Sequence, residues 1–557
     1  MTTSSPPARR GSATAGAPLA AIADRLGGPR VDHLLSRAAA LAPDRAALRT
    51  PDGSVLTFGR LDGQVDAFAA ALHALTPGPE AVVAVAAELS PAFPVAYYGT
   101  ARAGRVAALV NPLLREDALV HVLATSGART AVLTPEVYRR VRTVRDRLPR
   151  LETVLLTSGA AEDEGVPALA EVLAAAAGRP LPEAAADPGA VANLLFTSGT
   201  TGAPKAVELT HLNLTVNAAQ TAHAHGLDAA SVVFNYLPTY HLMHLNAAVQ
   251  AGATQLLWTD PDVPGSLAAA REGAVTHYYS LPMRLSRLAA DPAADPAADG
   301  AVPTLRAILS GGSALPPEAT RGLTARFAVP VVQGYGLAEA SPQTHFDRLD
   351  DPRAGSCGPP SVGTESRIVH VDTRAELPVG ERGEIQVRGP QLMKGYLGAE
   401  PGAHLDAGGW FSTGDIGYTD EDGCLFVVDR IKDVFKCDNW LVSPTEVEGV
   451  LRQRPEVADS VVVDRPDRFS GSVAYALVVL AKPYADEAGA ALAAVRGANA
   501  RMPYYQHLRY VEVVEVIPRS QNGKVQRREI RDAVHGRDLP EPSAEGPLEV
   551  TRAAGRG

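Results

Sequence analysis

Apolar positions in the first part of the chain switch between two periods. Leu61, Val65, Phe68 and Leu72 recur at the spacing of one helix face, whereas AVVAVA at 81–86 is a continuous apolar run of strand length. A helix-like segment over 93–102 ends at Gly104, followed by a strand at 106–110, a helix over 116–123 and a strand at 130–133. Strands alternating with helices predict a parallel sheet with crossover connections, because a parallel strand can be reached only by a long return path. The rhythm comes back between about 190 and 335, with apolar runs at 192–196, 255–258, 307–309 and 329–332. Two similar α/β layers accommodate these runs better than one very large sheet.

After Gly358 the texture changes to short β segments punctuated by glycine, clearest in EIQVR at 384–388 and CLFVV at 424–428. These predict a small β-subdomain. From about 433 a smaller α+β unit follows. Ser443 is a candidate N-cap for a helix over 444–451 that begins with Pro444, strands are expected at 460–463 and 475–480, and a helix over 487–501. The repetitive AADPAADPAADG at 289–300 reads as a surface loop. The expected fold class is α/β: a large N-terminal domain of two α/β subdomains plus a β-subdomain over 19–428, and a small α+β C-terminal domain over 433–538. Residues 1–18 and 539–557 read as disordered polar tails.

Composition narrows the function. The formal net charge of -10 leaves no domain-wide basic excess to neutralise a phosphate backbone, so nucleic acid is not an expected partner. Cys357, Cys424 and Cys437 are too few and too irregularly spaced for a disulfide framework or a zinc site, and a cytoplasmic location is expected. No apolar run reaches the length of a membrane span.

The most informative stretch is LLFTSGTTGAPK at 194–205. An apolar strand runs into Gly199 and Gly202, the hydroxyl residues Thr197, Ser198, Thr200 and Thr201, and then Lys205. Glycines let backbone N–H groups approach an anion, the hydroxyls add donors, and the lysine adds charge. This is a polyphosphate cradle, although not the common P-loop, which ends in Gly-Lys-Ser/Thr. The stretch resembles the signature of the adenylate-forming superfamily: acyl- and aryl-CoA synthetases, nonribosomal peptide adenylation domains and firefly luciferase.

Further motifs follow in the order that this resemblance requires. LPTYHLMH at 237–244 implies that His241 approaches the substrate carboxylate. SGGSAL at 310–315, with Gly311 and Gly312, implies a turn beside the adenine. QGYGLAE at 333–339, with Gly334, Tyr335 and Gly336, implies that Tyr335 flanks the adenine and that Glu339 holds the Mg²⁺ bridging the ATP phosphates. WFSTGD at 410–415 implies that Asp415 accepts from the ribose hydroxyls. DRIKD at 429–433 implies a hinge over 429–432 with Lys432 as its pivot, Arg430 reaching the ribose, and a mobile small domain. IPRSQNGKVQRR at 517–528 supplies Lys524 as the catalytic lysine. Met243, Asn246, Ser341 and Gln343 are expected on the acid side of the site.

The implied reaction joins a small-molecule acid to ATP as an acyl-AMP and then to coenzyme A. Two departures bear on it. Ala338 stands where a threonine usually meets the α-phosphate. In the acceptor-side loop, Lys436-Cys437-Asp438-Asn439-Trp440, Asn439 replaces a glycine. The acceptor therefore stays open at this point between coenzyme A, a separate carrier protein, and a non-thiol reached by amine ligation or by activation of nitrite in a diazotisation.

Overall fold

The computed structural model describes residues 11–26, 28–75, 81–86, 89–159, 165–182, 184–197, 204–237, 241–291, 302–400, 402–438, 440–468, 470–519, 525–537 and 549–552. Among these the strands form sheets of seven, eight, five and six.

Both α/β layers expected from the apolar rhythm are present. In the seven-stranded sheet, Val191–Thr197, Val106–Val110, Val82–Ala86, Thr130–Leu133 and Thr153–Leu156 run parallel. In the eight-stranded sheet, Ala46–Arg49, Thr254–Trp258, Val232–Tyr236, His277–Ser280, Ala307–Ser310 and Val331–Gly336 run parallel. Helices bury both faces of such strands, which explains why they read as unbroken apolar runs. Val106–Val110, for example, is buried at every position. Each sheet ends in antiparallel strands: Lys205–Thr210 turns back along Val191–Thr197, and Gln343–Phe346 turns back along Val331–Gly336.

The β-subdomain is an antiparallel sheet of Thr14–Ala15, Glu365–Val369, Gly383–Arg388, Phe411–Thr419 and Leu425–Arg430. The first of these strands shows that 11–18, the described part of the presumed tail, is ordered. Thr14 and Ala15 pair with Ser366 and Glu365, and the buried Ser12 hydroxyl donates to Ile368 O. Small polar residues at an edge strand carry no periodicity that composition could show. In the other presumed tail, Glu549–Arg552 adds a parallel strand beside Leu508–Val513. The low-complexity loop falls almost entirely outside the described residues, at 292–300.

The small unit has its own core. Phe435, Val442, Val447, Val461, Tyr475, Val495 and Tyr510 pack together, and no residue of the large unit belongs to that cluster. Of the four residues read as a hinge, Asp429 and Arg430 complete the strand Leu425–Arg430, which leaves Ile431 and Lys432 in the turn that follows. Four contacts cross this turn. Asp429 Oδ2 accepts from the Ser443 hydroxyl at 2.8 Å and from Thr445 N at 3.0 Å, at the start of the helix Pro444–Leu451. Lys436 Nζ meets Asp372 Oδ2 at 2.9 Å, and Arg382 pairs with Glu446.

Candidate active site

Strand ends bring the predicted residues together in two groups. In the first, antiparallel register places Asp415 opposite Arg430, with Arg430 Nε 3.7 Å from Asp415 Oδ1. Tyr335, near the end of Val331–Gly336, donates its hydroxyl to Asp415 Oδ2 at 2.6 Å. Burial raises the Asp415 carboxyl above the ordinary carboxylate range, while Tyr335 and Arg430 oppose that shift. Burial, followed by the Asp415 charge, pushes the Tyr335 phenol up, so it remains a donor. Gly336 is required by packing, since a Cβ there would lie 2.3 Å from Pro342 O. Gly334 lies against Phe346 in the same hairpin.

The second group surrounds the phosphate loop. Thr197 and Lys205 are register partners in the antiparallel pair that brackets the loop, so its two ends are fixed by the sheet. Ser198, Gly199, Thr200, Thr201 and Gly202 lie outside the described residues. Lys205 Nζ sits over the Tyr396 ring, 5.0 Å from its centroid, and the Tyr396 hydroxyl donates to Glu339 Oε1 at 2.8 Å. Cation, aromatic ring and carboxylate thus form one chain. Tyr396 was missed in the sequence because it comes from an edge strand 57 residues from Glu339, with no motif around it. Glu339 sits on a single 3-10 turn, Ala338–Ala340, with its carbonyl bound by Met393 N at 2.8 Å.

The turn expected beside the adenine follows the strand Ala307–Ser310, and Gly312 takes a φ of 89°, which favours glycine. A side chain at Gly311 would point into open space. His241 caps the helix Leu242–Ala251, its Nδ1 accepting from Met243 N at 3.3 Å. Desolvation of the ring lowers its pKa to about 4. The ring is therefore neutral at pH 7, and with Nδ1 as acceptor its proton sits on Nε2.

Of the residues expected on the acid side, Asn246, Ser341 and Gln343 are buried and their polar groups are engaged with the protein. Asn246 Oδ1 accepts from Tyr98 OH at 2.9 Å, and Ser341 donates to Gln391 O at 3.0 Å. Gln343 Oε1 accepts from His225 Nε2 at 2.8 Å, which directs the other His225 nitrogen to accept from Tyr279. Tyr279 in turn packs on His244, whose ring lies 5.6 Å from that of His241. This buried polar line is invisible in sequence because its members come from four separate elements. Met243 remains half-buried.

Lys432 exposes its side chain, while its carbonyl accepts from Arg531 at 3.0 Å. Lys524 lies outside the described residues, but Arg519 and Val525 on either side of its segment form an antiparallel bridge. Asn439 also lies outside them. Its neighbour Asp438 takes a left-handed φ of 50°, and Trp440 is exposed. Lys436 faces the large domain through Asp372 in this orientation. Among the described residues no cluster of three or more metal-ligating side chains occurs, and no helix is long and apolar enough to cross a membrane.

Comparison with known proteins adds an independent line. The family model described as "AMP-binding enzyme" matches residues 35–397, and that of the "AMP-binding enzyme C-terminal domain" matches 446–524. The chain is 31% identical over 529 residues to 4-coumarate--CoA ligase 2 of Oryza sativa subsp. japonica, covering 90% of this chain and 92% of the relative. A benzoate CoA ligase from Burkholderia xenovorans LB400 superposes with a TM-score of 0.78 at 26% identity, covering 90% of this chain and 99% of that one. ATP-bound MatB from Rhodopseudomonas palustris superposes with a TM-score of 0.80 at 25% identity, covering 91% and 99%.

Proposed function

The chain belongs to the AMP-binding enzyme family, and from that premise we propose that it is an ATP-dependent acid–CoA ligase acting on an aryl or aryl-acrylic carboxylic acid. A carboxylate oxygen attacks the α-phosphorus of ATP and pyrophosphate leaves. The thiol sulfur of coenzyme A then attacks the acyl carbonyl of the adenylate, and AMP leaves as the thioester forms. The observation that carries the reading is the convergence of Tyr335, Asp415 and Arg430 beside the Lys205–Tyr396–Glu339 chain. One group suits a nucleoside and the other a polyphosphate.

In this reading Asp415 accepts from the ribose hydroxyls, with Tyr335 and Arg430 keeping its carboxylate oriented before ATP arrives. The 197–205 loop and Lys205 offset charge on the departing pyrophosphate. Glu339 would hold Mg²⁺. Tyr396 occupies one carboxylate oxygen and leaves the other for a hard cation, which takes oxygen ligands and keeps several waters. Such an ion supplies charge neutralisation at the phosphates. His241, neutral and carrying its proton on Nε2, donates toward the substrate carboxylate. Lys524 bridges carboxylate and α-phosphate during adenylation.

In the second step the small domain turns about Lys432. The Asp429, Lys436 and Arg382 contacts across the hinge must then be remade. Lys524→Ala should slow adenylate formation by at least ~10²-fold, the scale of losing one charge-stabilising donor. Single-turnover AMP release from preformed adenylate should rise saturably with coenzyme A. A release rate indifferent to coenzyme A would exclude the thiol acceptor.

A further inference from the structure

A cavity of about 420 Å³ opens at the far end of the eight-stranded sheet from the candidate active site. Its walls come from the 3-10 helix Leu19–Arg25, the helix His33–Leu41 and the C-terminal end of the helix Leu242–Ala251. Arg45, Ala229 and Gly252 in its lining precede the parallel strands Ala46–Arg49, Val232–Tyr236 and Thr254–Trp258. His241, by contrast, stands at the head of the helix whose tail supplies Gln250 and Ala251. Ten helical residues put about 15 Å between head and tail, so the cavity is separate from the nucleotide and acid groups.

Three arginines line this cavity, on a chain whose formal net charge is -10. Arg25 Nη1 donates to Leu227 O at 3.3 Å, Arg37 Nη2 to Asp24 O at 3.3 Å, and Arg45 Nη1 to Gly252 O at 3.5 Å. Each of those carbonyls belongs to a residue of the lining, so the guanidinium heads themselves stand at the wall. A guanidinium carries five N–H donors, and one carbonyl leaves most of the fork for another acceptor. Among the described residues none of the three forms an ion pair. Two carboxylates share the lining. Asp228 is already engaged by the Ser231 hydroxyl, Ala230 N and Arg306. Asp24 is exposed and is the remaining opposing charge. Gln250 Nε2 donates to Arg25 O, which ties the 3-10 helix to the tail of Leu242–Ala251 and fixes one wall against another. Ala38, Leu41, Ala42 and Leu227 add an apolar lining. Guanidinium groups from three separate segments suit a phosphate, whose oxygens point in several directions, better than a planar carboxylate.

We propose that this cavity is a second ligand site that takes a small organic phosphate, its phosphate monoester held by Arg25, Arg37 and Arg45 and its body set against Ala38, Leu41, Ala42 and Leu227. Isothermal titration of the full chain with phenyl phosphate tests it. Phenyl phosphate should bind saturably and at least ~5-fold more tightly than inorganic phosphate, which has no body to bury. The double variant Arg37→Ala/Arg45→Ala should weaken binding at least ~10-fold, the scale of losing hydrogen bonds to a charged acceptor. Lysine at both positions keeps the charge without the fork and should recover only part of the loss. Asp24→Asn removes the opposing charge and should tighten binding. Arg37 and Arg45 are exposed, so the melting temperature of the double variant should match the wild type. Lys205→Ala takes the cation from the candidate phosphate loop and should leave phenyl phosphate binding unchanged. Ribose 5-phosphate, run in parallel, separates a sugar phosphate from an aromatic one, and binding of either through the arginines supports the site. A wild type that binds neither compound, binding equal in the double variant, or binding lost in Lys205→Ala would overturn it. Inorganic phosphate binding as tightly as both would leave a bare anion patch and overturn the organic ligand.

Discussion

Tyr396 touches both ends of the proposed phosphate chemistry, offering its ring to Lys205 and its hydroxyl to Glu339. Tyr396→Phe keeps the ring and removes only the hydrogen bond. Losing a bond to a charged acceptor is worth roughly 1.5–3 kcal/mol, so the Mg-ATP concentration needed for half-maximal rate should rise at least about tenfold. Steady-state titration of Mg-ATP checks this, and an unchanged value would detach Tyr396 from the site. Ala338 offers the converse test. Restoring a hydroxyl with Ala338→Thr should speed single-turnover adenylate formation by about tenfold or more, through a phosphate hydrogen bond of similar worth. Glu339 and Asp415 could be singled out in the sequence because short motifs surround them. Tyr396, His225 and Tyr279 were not, since each acquires its meaning only when distant strands meet.

At the scale of elements, the parallel strands were legible because burial on both faces forces continuous apolar residues, as in 106–110. The strand Thr14–Ala15 was not, because an edge strand satisfies its backbone without apolar side chains. DRIKD was read as a hinge, but the contacts around it were hidden. Asp429, at the end of a β-subdomain strand, takes hydrogen bonds from the Ser443 side chain and Thr445 N at the head of the first small-domain helix. Ser443 also caps that helix by accepting from Glu446 N at 3.3 Å. Asp429→Ala should therefore free the helix start in this orientation. Hydrogen exchange of the Thr445 and Glu446 amides should quicken at least ~5-fold, on the scale of losing one capping interaction of about 1 kcal/mol. Exchange equal to wild type would show that another group anchors the helix.

The whole molecule buries several neutral imidazoles. Burial lowers the pKa of His211 and His277 to about 4, and of His225 and His345 to about 3. In the unfolded chain these groups bind protons near pH 6.5, so below that pH the unfolded state binds more protons and stability falls as pH falls. At pH 5 each costs on the order of 2 kcal/mol. Asp347, raised to about 6 by burial, titrates in the opposite sense and offsets roughly one histidine. The urea midpoint should drop steeply between pH 7 and pH 5, and a flat midpoint would mean that these rings are not held neutral.

The proposed activity depends first on adenylation, which acid-dependent exchange of labelled pyrophosphate into ATP measures directly on the full chain. With Mg²⁺ present, benzoic or hydroxycinnamic acids are expected to drive exchange well above the acid-free rate, and Asp415→Ala, which removes the proposed ribose acceptor, is expected to suppress it. No exchange above the acid-free rate with any aryl or aryl-acrylic acid would contradict the assignment.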